Sequence, residues 1–169
     1  EKENGMKVRQ NALEIVKTLQ EHGYKAFFAG GCVRDMIMGK ESIDYDIATS
    51  ALPQDTINLF EKTIPVGVQF GVVIVVKDGH SFEVATFRTE GSYSDGRHPD
   101  YVAFSTPEAD VKRRDFTING LLYDPVKNEI LDYVGGQEDI SKGIIRTIGN
   151  PVERFTEDKL RMIRAARFA

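Results

Sequence analysis

Residues 27–49, FFAGGCVRDMIMGKESIDYDIAT, constrain the fold and chemistry of this chain more than any other stretch. Gly30 and Gly31 follow the apolar run 26–29 and precede apolar residues at helical spacing, which predicts a strand-to-helix turn. Backbone N–H groups at such a turn, unobstructed by side chains, favour a bound anion such as phosphate. Arg34, one turn further on, adds a guanidinium group that can bind the same anion.

The next segment, residues 43–47, alternates apolar and acidic side chains, which is typical of a strand with one buried face. Asp44 and Asp46 are therefore expected to project from the same side of that strand. Two carboxylates held so close repel each other unless a divalent cation lies between them. Oxygen ligands of this kind suit Mg²⁺, which usually takes its remaining ligands from water and substrate phosphates.

Each of these two features also has a purely structural interpretation. A Gly-Gly pair at a strand end is usually only a turn, and an Asp-x-Asp pair is more often two solvated carboxylates. Their order and close spacing favour a common function. A phosphate-binding turn followed by a carboxylate pair indicates phosphoryl or nucleotidyl transfer, in which metal ions activate an attacking hydroxyl and stabilise the leaving group.

The remaining patterns predict an α/β fold in which helices flank a mixed or antiparallel sheet of about five strands. Apolar periodicity predicts a helix over 12–21 and a strand over 24–29, while a β-rich pair, 66–77 and 81–87, predicts a hairpin. Within that hairpin, Glu83 alternates with apolar residues. It is a candidate third carboxylate if its strand lies beside the one carrying the aspartates, and otherwise an ordinary solvent-facing glutamate.

The second half of the chain continues this alternation of helices and strands. Residues 88–99 lack periodicity and predict a mobile loop. A short helix is expected over 108–114, a hairpin from 121–123 and 130–133, a helix from Gly135 and a last strand over 144–148. A final helix is expected from Thr156 to the end of the chain.

Charged residues recur at three-residue steps in that final helix, so they share one broad helical face. They are Asp158, Arg161, Arg164 and Arg167. A solvated face with salt bridges is the simpler interpretation. However, a carboxylate accepts a hydrogen bond from the amino group of cytosine or adenine, and an arginine donates to the adjacent ring nitrogen or carbonyl. Uracil and guanine would be mispaired, so Asp158 with Arg161 could select CTP and ATP.

Composition limits the other possibilities for this 169-residue chain. No apolar run approaches the roughly 20 residues that span a bilayer, no signal peptide is recognisable, and a cytosolic location is expected. The single cysteine, Cys32, excludes an intrachain disulfide, and the three histidines show no metal-ligand spacing. The net charge is −4, divided into −6 for residues 1–111 and +2 for residues 112–169, so a nucleotide site is better supported than an RNA-binding surface.

Three ordered motifs carry a resemblance to a known family. They are GGCVRDMIMG followed by DYDIAT, then RRDFTIN at 113–119, then EDKLR at 157–161 with Arg164 and Arg167 after it. Together they resemble the class II tRNA nucleotidyltransferases (CCA-adding enzymes) and bacterial poly(A) polymerases of the polymerase-beta-like superfamily. The resemblance runs from about residue 24 to the end of the chain.

The resemblance implies a nucleotidyltransferase head at 1–149 and the start of an α-helical neck at 150–169. The implied reaction transfers CMP and AMP from CTP and ATP to the 3′ end of tRNA at a two-metal Mg²⁺ site, releasing pyrophosphate. Asp44 and Asp46 would be catalytic metal ligands, with Glu83 as a candidate third. The implied nucleotide-binding residues are Gly30, Gly31, Arg34, Arg114, Asp115, Asp158, Arg161, Arg164 and Arg167, Asp115 accepting a hydrogen bond from a ribose hydroxyl.

Several alternatives share these motifs. A poly(A) polymerase would carry every one of them, and a division of labour in which one enzyme adds only C and another only A is also open. The segment 95–99, DGRHP, resembles a loop that helps relatives switch from C to A, which favours an enzyme that adds A. A non-catalytic nucleotide-binding module is the alternative from another class. The uncapped helical pattern at residue 169 predicts a fragment whose neck, body and tail regions, which hold the tRNA, are absent.

Overall fold

The computed structural model of the chain describes residues 2–90, 102–157 and 160–169. The strands in chain order are β1 (Ala26–Ala29), β2 (Asp46–Thr49), β3 (Thr63–Gly67), β4 (Val72–Lys77), β5 (His80–Thr86), β6 (Arg88–Glu90), β7 (Val102–Phe104), β8 (Leu121–Asp124) and β9 (Glu129–Asp132). The helices are α1 (Lys2–Glu21), α2 (Gly31–Ile37), α3 (Pro53–Leu59), α4 (Pro107–Lys112), α5 (Gly136–Lys142), α6 (Pro151–Glu157) and α7 (Leu160–Phe168).

Seven strands form one mixed sheet in the order β3-β4-β5-β2-β1-β8-β9. Adjacent strands are antiparallel except β2 and β5, which pair in parallel with Ile47 opposite Val84. Strand β1 is apolar because both of its faces are covered, and all four of its residues are buried. This arrangement places the start of β2 and the end of β1 side by side, since Ala29 pairs with Asp46.

The core lies mainly between the sheet and α1. Ile15, Val16 and Leu19 repeat at helical spacing on α1 and are fully buried against sheet residues that include Phe28 and Ile47. A second, smaller apolar cluster lies around Phe27, Ala48, Phe87, Val111 and Leu122. The glycine turn and the first residue of β2 are therefore anchored in a packed sheet, which fixes the position of both.

The predicted α/β fold is confirmed, as are both predicted hairpins. In the β4–β5 hairpin, Asp78 and Gly79 form a two-residue loop with φ values of 50° and 76°. Positive φ at both positions is the geometry of the turn that matches strand twist, and glycine adopts it without strain. Residues 121–124 and 129–132 form the second hairpin, β8–β9.

Some predicted boundaries were wrong. The sheet has seven strands where about five were expected, and the predicted strand 66–77 is divided between β3 and β4 by a turn at residues 68–70. Residues 144–148 form only a single bridge, between Phe116 and Thr147, and no strand. Their backbone groups bond instead to the segment that follows α4, through Thr117 N to Arg146 O and Ile148 N to Asp115 O.

The predicted loop 88–99 begins as strand β6, which pairs with β7. Residues 91–101 lie outside the described residues, and the DGRHP segment lies among them. The predicted final helix is represented by α6 and α7, with residues 158 and 159 between them outside the described part. Across the described ranges, no helix has both the length and the apolar character needed to cross a membrane.

Candidate active site

An open cleft of about 840 Å³ gathers most of the residues that the sequence motifs singled out. Its wall includes the glycine turn, the segment before β2, the end of α4 and one side of α7. The predicted residues that line it are Gly30, Gly31, Arg34, Asp44, Asp46, Arg114, Asp115, Arg161, Arg164 and Arg167. Glu83 is absent from this lining, and Asp158 lies outside the described residues.

The glycine turn allows an arginine to approach the backbone closely. Gly30 has φ 74° and ψ −135°, a conformation that side chains other than glycine rarely adopt. Its N–H donates to the Leu121 carbonyl at 3.2 Å, which fixes the turn on β8. A Cβ atom built on Gly30 would lie 3.6 Å from Arg114 Nη1, so the turn lies directly beside a guanidinium group.

Arg34 is held in one orientation by contacts from three directions. Its Nη1 donates to Asn119 Oδ1 at 2.7 Å, and its Nε and Nη2 donate to Asp35 Oδ1 at 3.1 and 3.0 Å. The guanidinium carbon lies 4.9 Å from the centre of the Phe168 ring, within cation–π range. Asn119 and Phe168 were not predicted site residues, because Asn119 is 85 positions away in the sequence.

The carboxylate pair lies at the cleft, but its local structure differs from the prediction. The strand begins at Asp46 instead of at Ile43, so the same-face argument from strand alternation does not apply to Asp44. Asp44 belongs to the irregular segment that precedes β2, where Ser42 Oγ donates to its carbonyl at 3.0 Å. Both carboxylates still line the same cleft.

The environment of Asp46 disfavours its ionised form. The side chain opens onto the cleft, yet the surrounding protein limits its hydration and raises its pKa to about 6. The negative charges of Glu83 and Asp44 raise this pKa further, and the positive charge of Arg114 opposes them. A carboxylate with a raised pKa beside two others is a feature of functional sites, where a cation can relieve the repulsion.

Glu83 lies on β5, the strand that pairs with the strand of Asp46. It precedes Val84, which pairs with Ile47 in the parallel ladder of β2 and β5, so Glu83 and Asp46 occupy equivalent positions on neighbouring strands. Among residues 2–90, 102–157 and 160–169, no three Asp, Glu, His or Cys side chains are close enough to form a metal site by themselves. The role of Glu83 as a third ligand stays a prediction.

The two arginines of the RRD motif share a partner that the sequence did not predict. Asp110 is 1% exposed, and its carboxylate accepts from Arg113 Nε and from Arg114 Nη2, both at 3.1 Å. Arg113 also forms an ion pair with Glu90 at 3.3 Å, and Glu90 pairs with Arg88 at 2.7 Å. The spacing of Asp110 three and four residues before the arginines on α4 is the signal that could have revealed it.

Asp115 and the end of α4 connect this network to the C-terminal helices. Arg164 Nε donates to Asp115 Oδ2 at 2.7 Å. Arg154 on α6 donates through Nη2 to the carbonyls of Arg113 and Arg114, the second at 2.6 Å. Arg161 is 4% exposed and donates to the Arg154 carbonyl at 2.8 Å. Arg154 therefore joins the predicted base-reading helix to the RRD motif, and it too was missed.

Charged side chains of both signs line the cleft. Among the described residues, seven arginines line it: Arg34, Arg88, Arg113, Arg114, Arg161, Arg164 and Arg167. Six carboxylates of the described residues line it as well: Asp35, Glu41, Asp44, Asp46, Glu90 and Asp115. Guanidinium groups bind phosphate oxygens, while a carboxylate pair binds a hard cation, so the arrangement suits a metal-bound polyphosphate.

Comparisons with known proteins agree with this geometry. The "Poly A polymerase head domain" family matches residues 26–146. A CCA-adding enzyme of Bacillus pumilus (strain SAFR-032) is 53% identical over 159 residues, which cover 94% of this chain and 40% of that protein. The chain thus spans about 40% of the length of this curated relative.

Solved structures give the same result. The Bacillus stearothermophilus CCA-adding enzyme in complex with CTP superposes with a TM-score of 0.85 and 48% identity, over 94% of this chain and 38% of that one. The Thermotoga maritima CCA-adding enzyme complexed with tRNA superposes with a TM-score of 0.75 and 26% identity, over 96% and 37%. The family match includes the glycine turn, both carboxylates and the RRD segment, and the chain therefore belongs to the poly(A) polymerase head domain family.

Proposed function

We propose that the chain is the catalytic head of a tRNA nucleotidyltransferase that transfers CMP and AMP from CTP and ATP to the 3′ end of tRNA. The observation that supports this proposal most strongly is the meeting of Asp44 and Asp46 with the glycine turn and seven arginines in one cleft. Two similar structures, a CCA-adding enzyme in complex with CTP and another complexed with tRNA, favour this reaction over other nucleotidyl transfers.

The donor set of the cleft fits Mg²⁺, which would be held by Asp44 and Asp46. Hard cations of this size prefer carboxylate oxygens and usually keep sites open for water and substrate phosphates, so an incomplete protein ligand set is suitable. The raised pKa of Asp46 also supports a cation at this place, since a bound cation would offset the repulsion from Glu83 and Asp44. When bound, the metal would lower the pKa of the attacking hydroxyl and offset charge on the leaving pyrophosphate.

The residues of the chain then have distinct roles in the proposal. Gly30 and Gly31 leave space beside the backbone for a phosphate, and Arg114 supplies positive charge at that place. Arg34 is already oriented by Asp35 and Asn119, so binding a phosphate requires little reordering of its side chain. Fixed cations of this kind orient the triphosphate for in-line attack and stabilise the charge that develops during transfer.

Base selection is proposed to depend on the α7 side of the cleft. Arg161 is buried at the cleft wall and would donate to the ring nitrogen or carbonyl that cytosine and adenine present. Asp158 would accept from their amino groups. Arg164 would stabilise this arrangement through Asp115, and Arg167 would contribute charge at the phosphates. In this proposal, residues 1–149 form the head, residues 150–169 begin the neck, and the location is cytosolic.

A tRNA extension assay tests the proposal. A tRNA transcript that lacks its terminal CCA is incubated with the chain, Mg²⁺, CTP and ATP, and the products are sequenced. The proposal predicts addition of C, C and A followed by arrest, and loss of all product in Asp46→Ala with an unchanged circular dichroism spectrum. A lengthening A tail would indicate a poly(A) polymerase, addition of only C or only A would indicate a restricted enzyme, and an active, well-folded Asp46→Ala protein would refute the catalytic assignment.

A further inference from the structure

One carboxylate beside the cleft has no role in the proposed chemistry. Asp110 on α4 is buried, and its two oxygens have different partners. Oδ1 accepts from the Arg88 backbone N–H at 2.9 Å and from Arg113 Nε at 3.1 Å. Oδ2 accepts from Arg114 Nη2 at 3.1 Å. Asp110 therefore contacts three residues of two segments that line the cleft, while its own side chain is excluded from solvent.

The charge of Asp110 persists despite this burial. Removal from water favours the neutral acid, but the charges of Arg113 and Arg114 and the Arg88 N–H hydrogen bond outweigh that effect, and the pKa lies below its usual value. Asp110 is consequently ionised at neutral pH. Two guanidinium groups are anchored to a single buried anion, which limits the positions that either can adopt.

The anchored arginines extend from Asp110 to the proposed phosphate site. Arg114 Nη1 lies 3.6 Å from the position of a Cβ on Gly30, and the charge of Arg114 acts on Asp46. The Arg114 Nε atom is buried and has no hydrogen-bond partner in the described part of the chain. The orientation of Arg114 thus depends on Nη2 and Asp110 and not on a bond from Nε.

An arginine side chain has many rotamers in solution, and part of that freedom is lost when it binds a phosphate. Anchoring it beforehand removes that loss from the binding step. We propose that Asp110 is a positioning residue that holds Arg113 and Arg114 in the orientation that binds the triphosphate of the incoming nucleotide. This inference rests on the proposed function and adds a residue to it that does not contact the nucleotide.

Binding of inorganic tripolyphosphate with Mg²⁺, measured by calorimetry, isolates the phosphate contacts from base recognition. Asp110→Asn keeps a hydrogen-bond acceptor but removes the charge, and it should weaken tripolyphosphate binding about tenfold, as expected for one lost charge-assisted contact. Glu108→Gln is the matched control on the same helix, because Glu108 forms an exposed ion pair with Lys112 at 3.1 Å and does not line the cleft in the described part of the chain. It should leave the affinity unchanged.

A double-mutant cycle separates positioning from general stabilisation. If Asp110 acts through Arg114, Asp110→Asn should weaken binding by less than about threefold once Arg114→Ala is present, because the coupled contact is already lost. The same tenfold loss in both backgrounds would overturn the inference. Asp139→Asn provides a second control, since Asp139 is a buried aspartate that accepts hydrogen bonds from Thr117 and Arg146, and none of these three residues lines the cleft. It should destabilise the fold without changing tripolyphosphate affinity.

Asp110→Glu keeps the experiment decisive if Asp110→Asn fails to fold. It retains the negative charge and displaces the carboxylate by one methylene, so tripolyphosphate binding should weaken by about threefold in a folded protein. Unchanged affinity in the folded Asp110 variants would overturn the positioning role while leaving the proposed function intact. Failure of the unmodified chain to bind both tripolyphosphate and CTP would instead contradict the proposed function.

Discussion

Arg164 Nε donates to Asp115 Oδ2 at 2.7 Å, and this ion pair fastens α7 to the segment that follows α4. The other oxygen of Asp115 accepts from the Phe116 backbone N–H at 2.8 Å. Both carboxyl oxygens therefore have partners before any nucleotide binds. A residue expected to contact ribose is positioned by the helix that is expected to read the base, so the two halves of the nucleotide site are connected.

Arg164→Ala should reduce the free energy of unfolding by about 1 kcal/mol, the upper end of the range for a partly exposed ion pair. In a chain of this length, that loss lowers the melting temperature by about 2–4 °C, which calorimetry resolves. Arg167→Ala is the matched control and should lower the melting temperature less. The Arg167 guanidinium carbon lies 5.7 Å from the ring centre of Phe168, which belongs to the same helix, so this contact does not connect α7 to the segment after α4. Equal melting temperatures for Arg164→Ala and the unmodified chain would contradict the connection.

Asp115→Asn should reduce discrimination between CTP and dCTP. The ionised carboxylate is the stronger acceptor for a ribose hydroxyl, and a hydrogen bond to a charged group contributes about 1.5–3 kcal/mol. The ratio of the two dissociation constants, measured by calorimetry, should fall about tenfold. Asp35→Asn is the comparison, because it alters a different carboxylate, one that accepts from Arg34, and it should leave this ratio unchanged. A ratio that stays constant in Asp115→Asn would exclude the ribose contact.

The pKa of Asp46, raised to about 6, gives the metal-free protein a defined pH dependence. Because this folded-state pKa exceeds the ordinary value of 3.8, the folded state holds the proton more tightly than the unfolded state. The favourable contribution of protonation is complete below the ordinary pKa and is lost as the pH rises through 6. Asp46→Asn should therefore be more stable than the unmodified chain at neutral pH, and the difference should shrink as the pH falls from 6 towards 4.

Melting temperatures at a series of pH values without metal measure this difference. Added Mg²⁺ should stabilise the unmodified chain at neutral pH and have little effect on Asp46→Asn, because a ligand stabilises only the state that binds it. A stability difference independent of pH would show that the Asp46 carboxyl group titrates normally. Equal stabilisation of both proteins by Mg²⁺ would contradict the assignment of Asp46 as a metal ligand.

Gly136→Ala should strongly destabilise the fold. A Cβ atom at Gly136 would lie 2.2 Å from the Thr117 carbonyl oxygen, which is backbone and cannot move aside without disturbing the segment after the RRD motif. Such overpacking costs about 1–3 kcal/mol or more, measured by urea unfolding. Gly5→Ala is the control with the opposite sign. The nearest described atom to its Cβ is Glu41 Oε2 at 3.8 Å, an ordinary contact, and alanine favours helix α1 by about 0.5–1 kcal/mol. A neutral Gly136→Ala would contradict the packing of α5 on this segment.

Local patterns predicted the parts of this fold that depend on neighbouring residues. The Asp78-Gly79 turn and the periodicity of residues 12–21 each express a local preference, so both elements were predicted correctly, although α1 begins at Lys2 and not at residue 12. The strand predicted at 144–148 does not form, because its local preference is outweighed by contacts with a distant part of the chain. Its residues are β-prone, but the segment bonds the chain around Asp115 and Thr117 and gains only a single bridge instead of a ladder.

Some residues of the candidate site could also be predicted from local sequence, and others could not. The glycine turn and Asp46 could be found from the sequence because their chemistry lies within one short motif. Asn119 contacts Arg34 across 85 positions, and Arg154 contacts the Arg114 carbonyl across 40, so neither pairing has a local signal. Such contacts follow from the order of strands in the sheet and from the docking of α6, which periodicity does not determine.

Calorimetric binding of CTP, ATP, UTP and GTP to this chain with Mg²⁺, compared with Asp158→Ala and Arg161→Ala, tests the central claim most directly. The account predicts that CTP and ATP bind, that UTP and GTP bind at least about tenfold more weakly, and that both variants lose this selectivity. Binding of ATP alone would favour poly(A) or A-only addition. Equal binding of all four nucleotides, or none, would contradict a cleft that selects the substrates of CCA addition.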